Sequence, residues 1–379
     1  MMMKQLIKAI YTQPPSTLEK QDEHVYQALM TNRFFHQYAS QLYYLMKQHG
    51  LLEQTPISFR QALKQQATEN MLLSCLIHQE TVNVLQLFEA NHVPVIPLKG
   101  VVFAEKYFGS AAARRTSDID ILVHPEDEIR AIQLVAKLGF TVLVPYEREH
   151  FHKAFQKQFT DSAFTLTIEI HQNFQRRGIS SLAVSDLWRH TQPLDTYRYV
   201  HELSPQLMFY IICLHGWNHE LISWKYFIDI IQMIHILGDQ LHYDQLLAFA
   251  KKEKTQHRIA RTLSIVYHEF PFLNECHPLP LPIRSSYWWK ERALEDDHHL
   301  KATLPILIKH LRQVNDYDTW LQKCIYLIRL LSPDPVIMDR LIGENKRSWP
   351  RPLQYMLFLG ESSKEIVSSM LPRKKHAEK

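Results

Sequence analysis

The stretch Arg114–Val123, RRTSDIDILV, decides the predicted fold. From Asp118 onward it alternates with a period of two, which predicts a short β-strand with one apolar face. The opposite face carries two carboxylates, Asp118 and Asp120. These repel each other unless a positive charge lies between them, and Mg²⁺ is the natural partner because it prefers carboxylate oxygens. The alternative interpretation is a strand end with two solvated aspartates.

A second predicted strand, Ala163–His171, carries a third carboxylate. One of its faces is apolar, and the other presents Glu169 and His171. If the two strands are neighbours, Glu169 converges with Asp118 and Asp120. His171 is interpreted as a residue that orients Glu169 or forms a hydrogen bond in the core.

The composition disfavours several classes of function. The 379 residues suffice for two or three domains, and an apolar fraction of 46% is that of an ordinary globular protein. The net charge of +4 does not require a nucleic-acid partner. The four cysteines form no Cys-x-x-Cys pair, which favours a reducing, cytoplasmic setting. The sequence shows no signal-peptide pattern, no apolar run long enough for a membrane helix, and neither a Walker A nor a GxGxxG motif.

The periodicities predict an α+β fold, with a small mixed β-sheet core, N-terminal helices and a large C-terminal helical region. The predicted division is a helical N-terminal region over residues 1–90, an α/β core over 91–200 and a helical region over 201–379. In the N-terminal region, apolar spacing predicts one helix over Asp22–Gln48 and another from Pro56 to Asn91.

The predicted core alternates strands and helices. It begins with a strand over Val93–Leu98, whose two prolines are typical of an edge or an irregular strand, and continues with the Lys99-Gly100 turn and a helix over Val101–Phe108 that stops at Gly109-Ser110. The strand from Asp118, a helix over Glu128–Leu138 and a strand over Phe140–Val144 follow. The segment Tyr146–Lys157, with Arg148, His150, His152 and Lys153, is interpreted as either an acceptor-binding loop or a solvated one.

The C-terminal region is predicted to be helical over 207–220, 224–238, 243–252, 258–269, 305–314, 319–331 and 353–368. His215 and His219 have the spacing of metal ligands on the first of these helices, but no HExxH motif is present. A buried, hydrogen-bonded pair beside Trp224 and Asp229 is therefore favoured over a zinc site.

Jointly, these motifs resemble the nucleotidyltransferase superfamily that includes DNA polymerase beta. In that superfamily a strand ends in a small-residue loop, a helix follows, and the next strand carries two acidic residues separated by one residue. More specifically, the chain resembles an uncharacterised bacterial nucleotidyltransferase family with a Leu-Lys-Gly loop, and the resemblance covers residues 70–240. The matching residues are Leu98-Lys99-Gly100, Tyr107, Arg114, Asp118–Val123, Glu169-Ile170-His171, and the stretch from Leu214-His215 through Trp224 to Asp229.

One departure from the wider superfamily concerns the phosphate loop. The first strand there usually ends in Gly-Ser or Gly-Gly, whereas this chain has Lys99-Gly100 at that place. Gly109-Ser110 follows a predicted helix rather than a strand, so it is interpreted as a helix stop. The phosphate loop is accordingly placed at Lys99-Gly100.

The resemblance implies transfer of a nucleoside monophosphate from a nucleoside triphosphate to an acceptor hydroxyl or amine, with release of pyrophosphate. It implies that Asp118, Asp120 and Glu169 are catalytic and hold two Mg²⁺ ions, with Mn²⁺ as the alternative ion. Glu169 either completes the coordination of the ion that activates the nucleophile or serves as the general base for the nucleophile. ATP, GTP, CTP and UTP are all candidate donors, and the acceptor is a small molecule or a peptide. A nucleic-acid acceptor is disfavoured because no basic stripe is present.

Four further residues are candidates for binding the nucleotide phosphates. Gly100 lets the backbone approach them, and Lys99 supplies a charge. Arg114 is a candidate for a phosphate or acceptor contact, and Lys225 for reaching the triphosphate from the helical region. A solvated or snorkelling side chain is the simpler interpretation of each of these three cations.

Two alternative functions remain on the same fold. One is phosphoryl or pyrophosphoryl transfer to a small molecule or peptide. The other is a nucleotide-binding, antitoxin-like protein without turnover, against which the presence of Asp118, Asp120 and Glu169 argues.

Overall fold

The computed structural model of the protein describes residues 2–12, 18, 22–143, 152–159, 164–175, 178–282, 289, 291–294, 310–331, 343, 353–354 and 357. The chain forms two compact units, Met1–Ser285 and Ser286–Lys379. All the candidate site residues lie in the first unit. The predicted boundaries near residues 90 and 200 both fall inside that unit, and they remain a prediction.

The N-terminal region is helical, as predicted, but it contains one more break. Its helices are α1 (Met2–Tyr11), α2 (Glu23–Met30), α3 (Phe35–Gln48) and α4 (Ile57–Ala90). The single helix predicted over Asp22–Gln48 is therefore wrong. The side chain of Asn32 accepts a hydrogen bond from the backbone N–H of Phe34 at 2.9 Å. This local bond takes the place of a helical backbone hydrogen bond between α2 and α3.

The core follows the predicted alternation. Its elements are β1 (Val95–Pro97), α5 (Gly100–Phe108), β2 (Asp118–Val123), α6 (Glu128–Lys137), β3 (Thr141–Val142), β4 (His152–Gln158) and β5 (Thr165–His171). In the described part of the chain these strands form one five-stranded mixed sheet in the order β1-β2-β5-β4-β3, with β1 at an edge as its prolines predict. Only the β2–β5 pair is parallel.

The two faces of this sheet differ in character. Ile119 and Ile121 of β2 and Ile168 of β5 point to a buried face that packs against α4 and α6 through residues such as Phe88 and Val135. Burying this face stabilises the fold by roughly 1.5–3 kcal/mol for each large aliphatic side chain. The opposite face is left for the polar residues that alternate with these.

The rest of the first unit is mainly helical. It contains α7 (Val184–Trp188), a hairpin of β6 (Thr191–Pro193) and β7 (His201–Leu203), and then α8 (Pro205–Asn218), α9 (Trp224–Leu237), α10 (Tyr243–Lys252), α11 (Gln256–Glu269) and α12 (Leu273–Cys276). The predicted helices over 207–269 are confirmed to within a few residues. α8 begins at Pro205 because Ser204 caps it by accepting a hydrogen bond from Leu207 N–H.

The second unit contains a described helix, Trp320–Leu331, which confirms the prediction for 319–331. For the helices predicted over 305–314 and 353–368, most residues lie outside the described part of the chain.

Among the described residues, no helix has the length and apolar character needed to cross a membrane.

Candidate active site

The pairing of β2 with β5 brings the acidic residues together. Asp120 lies directly opposite Glu169, and Asp118 lies opposite Thr167. Side chains at paired positions of neighbouring strands share a face, so all three carboxylates project from the polar face of the sheet. The neighbouring strands expected from the sequence are thus present.

Asp120 is the most firmly held of the three. Its side chain is 5% exposed, with Oδ2 3.0 Å from Lys99 Nζ and Oδ1 2.8 Å from His171 Nε2. Burial alone would raise the pKa of the Asp120 carboxyl, but Lys99 and the hydrogen bond to His171 outweigh burial and hold the pKa well below its usual value. Asp120 is therefore an ionised carboxylate held between the Lys99 ammonium and the His171 imidazole ring.

Asp118 has the opposite environment. In the part of the chain that the structure describes, no side chain forms a hydrogen bond or ion pair with its carboxylate. Its pKa is raised, first by burial and then by the charge of Asp120, with Glu169 adding to the effect and Lys99 opposing it. Asp118 is thus a half-buried carboxylate without a bonded partner among the described residues.

Glu169 is surrounded by two histidines. Its Oε2 lies 3.3 Å from His171 Nε2, and its Oε1 lies 3.7 Å from His152 Nε2. Burial would raise the pKa of Glu169, but the hydrogen bond from His171 outweighs burial and lowers it. This lowered pKa favours a charged ligand over a general base, which are the two roles predicted for Glu169.

The sequence prediction missed His152 as part of this site. It placed His152 and Lys153 in a loop over Tyr146–Lys157, which is wrong from residue 152 onward, because His152–Gln158 is β4. In the register, His152 lies opposite His171. The alternation of HKAFQKQ was a weak signal because Phe155 is its only large apolar residue. Residues 144–151, including Arg148 and His150, lie outside the described residues.

The His171 imidazolium should make stability depend on pH. Burial would lower the pKa of His171, but its hydrogen bonds to Asp120 and Glu169 outweigh burial and raise it. A raised folded pKa means that this stabilisation is complete below the unfolded pKa of about 6.5 and is lost as the pH rises through the folded pKa. We expect the difference in unfolding free energy between wild type and His171→Gln, measured by urea denaturation, to be larger at about pH 6 than at about pH 9. A difference independent of pH would contradict this ion network.

The predicted phosphate loop lies directly beside the aspartates. Leu98 N–H donates to the Asp120 carbonyl at 3.0 Å, so the end of β1 is fixed to β2. Gly100 opens α5 with a φ of +72°, in the left-handed region that favours glycine. Gly109 caps the other end of α5 with a φ of +74°, which confirms the helix stop at that position.

Arg114 has a partner that the sequence did not reveal. Its Nε and Nη2 donate to the two carboxylate oxygens of Asp229 at 2.8 Å, and its side chain is 3% exposed. Gln41 of α3 donates to the same carboxylate at 2.7 Å. This network joins α3, the segment before β2 and α9. The phosphate contact predicted for Arg114 remains a prediction, since in this structure its guanidinium binds Asp229.

Lys225, at the start of α9, lies beside the same segment. Its Nζ donates to the carbonyl of Arg115 at 2.7 Å. Burial, reinforced by the charge of Arg114, lowers the pKa of Lys225 to about 7, although Asp229 and Asp118 oppose this shift. A phosphate near this amine would favour its charged form.

His215 and His219 belong to an aromatic cluster. Their ring centroids are 4.4 Å apart, and the His219 ring stacks on Tyr226 of α9 at 5.3 Å with an interplanar angle of 9°. Burial, and then the charge of Lys99, holds the pKa of His215 well below its usual value. These contacts favour packing over the zinc alternative.

A separate cavity of about 830 Å³ lies at the far end of α5. Its lining includes Lys47, Lys106, Tyr107 and Gln232. Because α5 begins beside Asp118 at Gly100, this cavity is not part of the acidic cluster.

Comparison with known proteins provides one match. No curated protein and no solved structure matches the chain. A sequence profile described as an uncharacterised nucleotidyltransferase matches residues 26–271, which include the whole sheet, the acidic cluster, α8 and α9. This range is well over half of the chain, and the chain therefore belongs to that uncharacterised nucleotidyltransferase family.

Proposed function

We propose that the protein transfers a nucleoside monophosphate from a nucleoside triphosphate to an acceptor hydroxyl or amine. The acceptor attacks the α-phosphorus, the bond from that phosphorus to the bridging oxygen breaks, and pyrophosphate leaves with the electron pair while the acceptor loses a proton. The placement of Asp118, Asp120 and Glu169 on one face of paired strands, beside the Gly100 turn, is the observation that carries the proposal.

The carboxylates fit a divalent cation. The Asp118 carboxylate has no bonded partner among the described residues, and it is half-buried near two other negative charges. Hard ions such as Mg²⁺, or Mn²⁺ as the alternative, prefer this set of oxygen donors. Asp118, Asp120 and Glu169 would hold the ion. The bound ion would neutralise charge on the triphosphate and lower the pKa of the acceptor hydroxyl. Two ions, rather than one, remain part of the proposal.

The chain's own cations position the donor. In this structure the Lys99 ammonium forms an ion pair with Asp120. If Lys99 exchanged this carboxylate for a phosphate oxygen, its ammonium would contact the triphosphate. The first N–H groups of α5 add donors at the same end. Lys225 is a second candidate for this contact.

The Gly100 turn yields a prediction with an internal control. A Cβ on Gly100 would lie 3.6 Å from both the Asp118 carbonyl oxygen and Thr116 Oγ1, which is ordinary contact, so the folding cost of Gly100→Ala comes from the positive φ. Gly109→Ala has the same backbone strain with open space around it. We expect each variant to lose about 1 kcal/mol of stability. Only Gly100→Ala should raise the KM for the nucleotide, measured by steady-state kinetics, and equal KM values would contradict the placement of the loop.

The function is tested with triphosphates labelled at a defined phosphate. Each of ATP, GTP, CTP and UTP, labelled at the α- or the γ-phosphate, is incubated with the full-length protein, Mg²⁺ or Mn²⁺, and separated small-molecule and peptide fractions of a cell extract. Transfer of the α-label with release of pyrophosphate supports the proposal. Transfer of the γ-label would instead indicate phosphoryl transfer. Saturable nucleotide binding in calorimetry without any transfer would indicate a binding protein.

A further inference from the structure

We propose that His152, Glu169 and His171 form a binding site for a transition-metal ion of the Co²⁺ and Zn²⁺ class. The proposal goes beyond nucleotidyl transfer, for which the proposed metal ligands are the three carboxylates Asp118, Asp120 and Glu169. The carboxylate site and the His152–Glu169–His171 site share Glu169.

The distances within this group suit one shared ion. The three side chains each offer a ligand atom, and these atoms lie within 4.8 Å of one another. Ligands bonded at about 2.0–2.2 Å to the same ion stand roughly 3–3.5 Å apart. The two carboxylate oxygens of Glu169 each lie near that separation from one histidine, Oε2 at 3.3 Å from His171 Nε2 and Oε1 at 3.7 Å from His152 Nε2. Side-chain adjustments that bring the three ligand atoms from within 4.8 Å to that separation would complete three bonds to one ion.

The backbone holds the three residues in place. His152 and His171 are directly paired across β4 and β5, and Glu169 is two residues before His171 on the same face. All three positions belong to strands of the sheet, with His152 as the first residue of β4 and His171 as the last residue of β5. A site built on regular strands keeps its ligands positioned without a conformational change.

The nitrogen donors decide the class of ion. Mg²⁺ and Ca²⁺ prefer oxygen ligands, whereas imidazole suits Zn²⁺ and other first-row transition metals. Two imidazoles and one carboxylate form a three-ligand set that leaves further coordination positions open, as in catalytic zinc sites. The open positions would be available to water or to an oxygen of the substrate.

Binding has a defined proton balance. In this structure His171 Nε2 lies 2.8 Å from Asp120 Oδ1, and since Asp120 is ionised, the nitrogen donates its hydrogen to this carboxylate. A metal ion that bonds to this nitrogen replaces the proton, which is released to the solvent. No change in oxidation state is involved.

Cobalt provides a probe that does not depend on nucleotide or turnover. Full-length protein is titrated with Co²⁺ and followed by visible absorbance, and Zn²⁺ and Mg²⁺ are then tested as competitors. We expect a high-affinity site that Zn²⁺ displaces and excess Mg²⁺ does not. In His152→Asn the Co²⁺ affinity should fall by more than about tenfold, because one ligand is removed while the carboxylates remain.

Two comparisons make the outcome decisive. His24, which has an exposed side chain, provides the control: His24→Asn should bind Co²⁺ like wild type. Equal affinities in His152→Asn and His24→Asn would overturn the proposal, as would complete displacement of Co²⁺ by Mg²⁺. The proposed function fails separately, because a protein that binds Co²⁺ through His152 but transfers no nucleotide would contradict only that function.

Discussion

Asp118→Asn should lower the rate of nucleotidyl transfer by about a thousandfold without lowering the melting temperature. A cation that stabilises the transferring phosphates lowers the activation free energy by several kcal/mol, and each 1.4 kcal/mol changes the rate about tenfold. The carboxylate that is removed has no bonded partner among the described residues, and burial and Asp120 raise its pKa. Its charge is therefore unfavourable to the fold, and a neutral side chain of the same shape relieves repulsion within the cluster.

Asp120→Asn is the matched comparison, because it changes the same chemical group on the same strand face. Asp120 receives contacts from both Lys99 and His171, so its replacement should cost about 2 kcal/mol of stability as well as the activity. Glu126→Gln, at an exposed carboxylate beyond the strand, should leave both quantities unchanged. Kinetics and thermal denaturation of the three variants test this. An Asp118→Asn protein that melts well below wild type would contradict the unpartnered state of Asp118.

The sequence predicted those parts of the fold whose pattern is local. β5 alternates strictly between apolar and polar residues, and β2 does so from Asp118 to Ile121. Both strands are found close to where this alternation places them. α4 was predicted from Pro56 to Asn91 and runs over Ile57–Ala90, because its start follows a proline and its apolar spacing is sustained. The shared sheet face of Glu169 and the two aspartates followed from the pairing of β2 with β5.

The sequence did not predict contacts that depend on distant residues. Asp229 lies 115 positions after Arg114, and neither residue type reveals which ion partner it will have. His152 was missed because β4 has charged and polar residues on both faces, so its periodicity is weak. A strand of this kind is recognised only once its neighbours are known, because its pairing with β5 rather than its own pattern fixes its register.

α9 emerges as the element that connects the acidic face to the helical regions. Asp229 binds both Arg114 and Gln41, and one turn later Gln232 accepts a hydrogen bond from Tyr11 and donates to the Tyr107 carbonyl. These contacts fix α9 against α1, α3 and α5. Because Arg114 lies four residues before Asp118, the Asp229 carboxylate links α9 to the segment that leads into β2.

Asp229→Asn should therefore destabilise the protein by about 3–5 kcal/mol. The substitution keeps the shape of the side chain but leaves the Arg114 guanidinium, 3% exposed, without a counter-charge. Removing one member of a buried ion pair is costly because the remaining charge stays desolvated. Urea denaturation measures the loss directly.

An exposed Arg–Asp pair in the same unit distinguishes the effect of burial on stability from the effect of the ion pair itself. Arg130 and Asp127 lie 3.0 Å apart, but the Arg130 side chain is 53% exposed. Asp127→Asn should therefore cost no more than about 1 kcal/mol. The double variant Arg114→Met/Asp229→Leu should regain much of the stability lost in Asp229→Asn, because it removes the unpaired charge and fills the space with apolar atoms. If Asp229→Asn and Asp127→Asn cost the same, the Arg114–Asp229 pair does not hold α9 to β2.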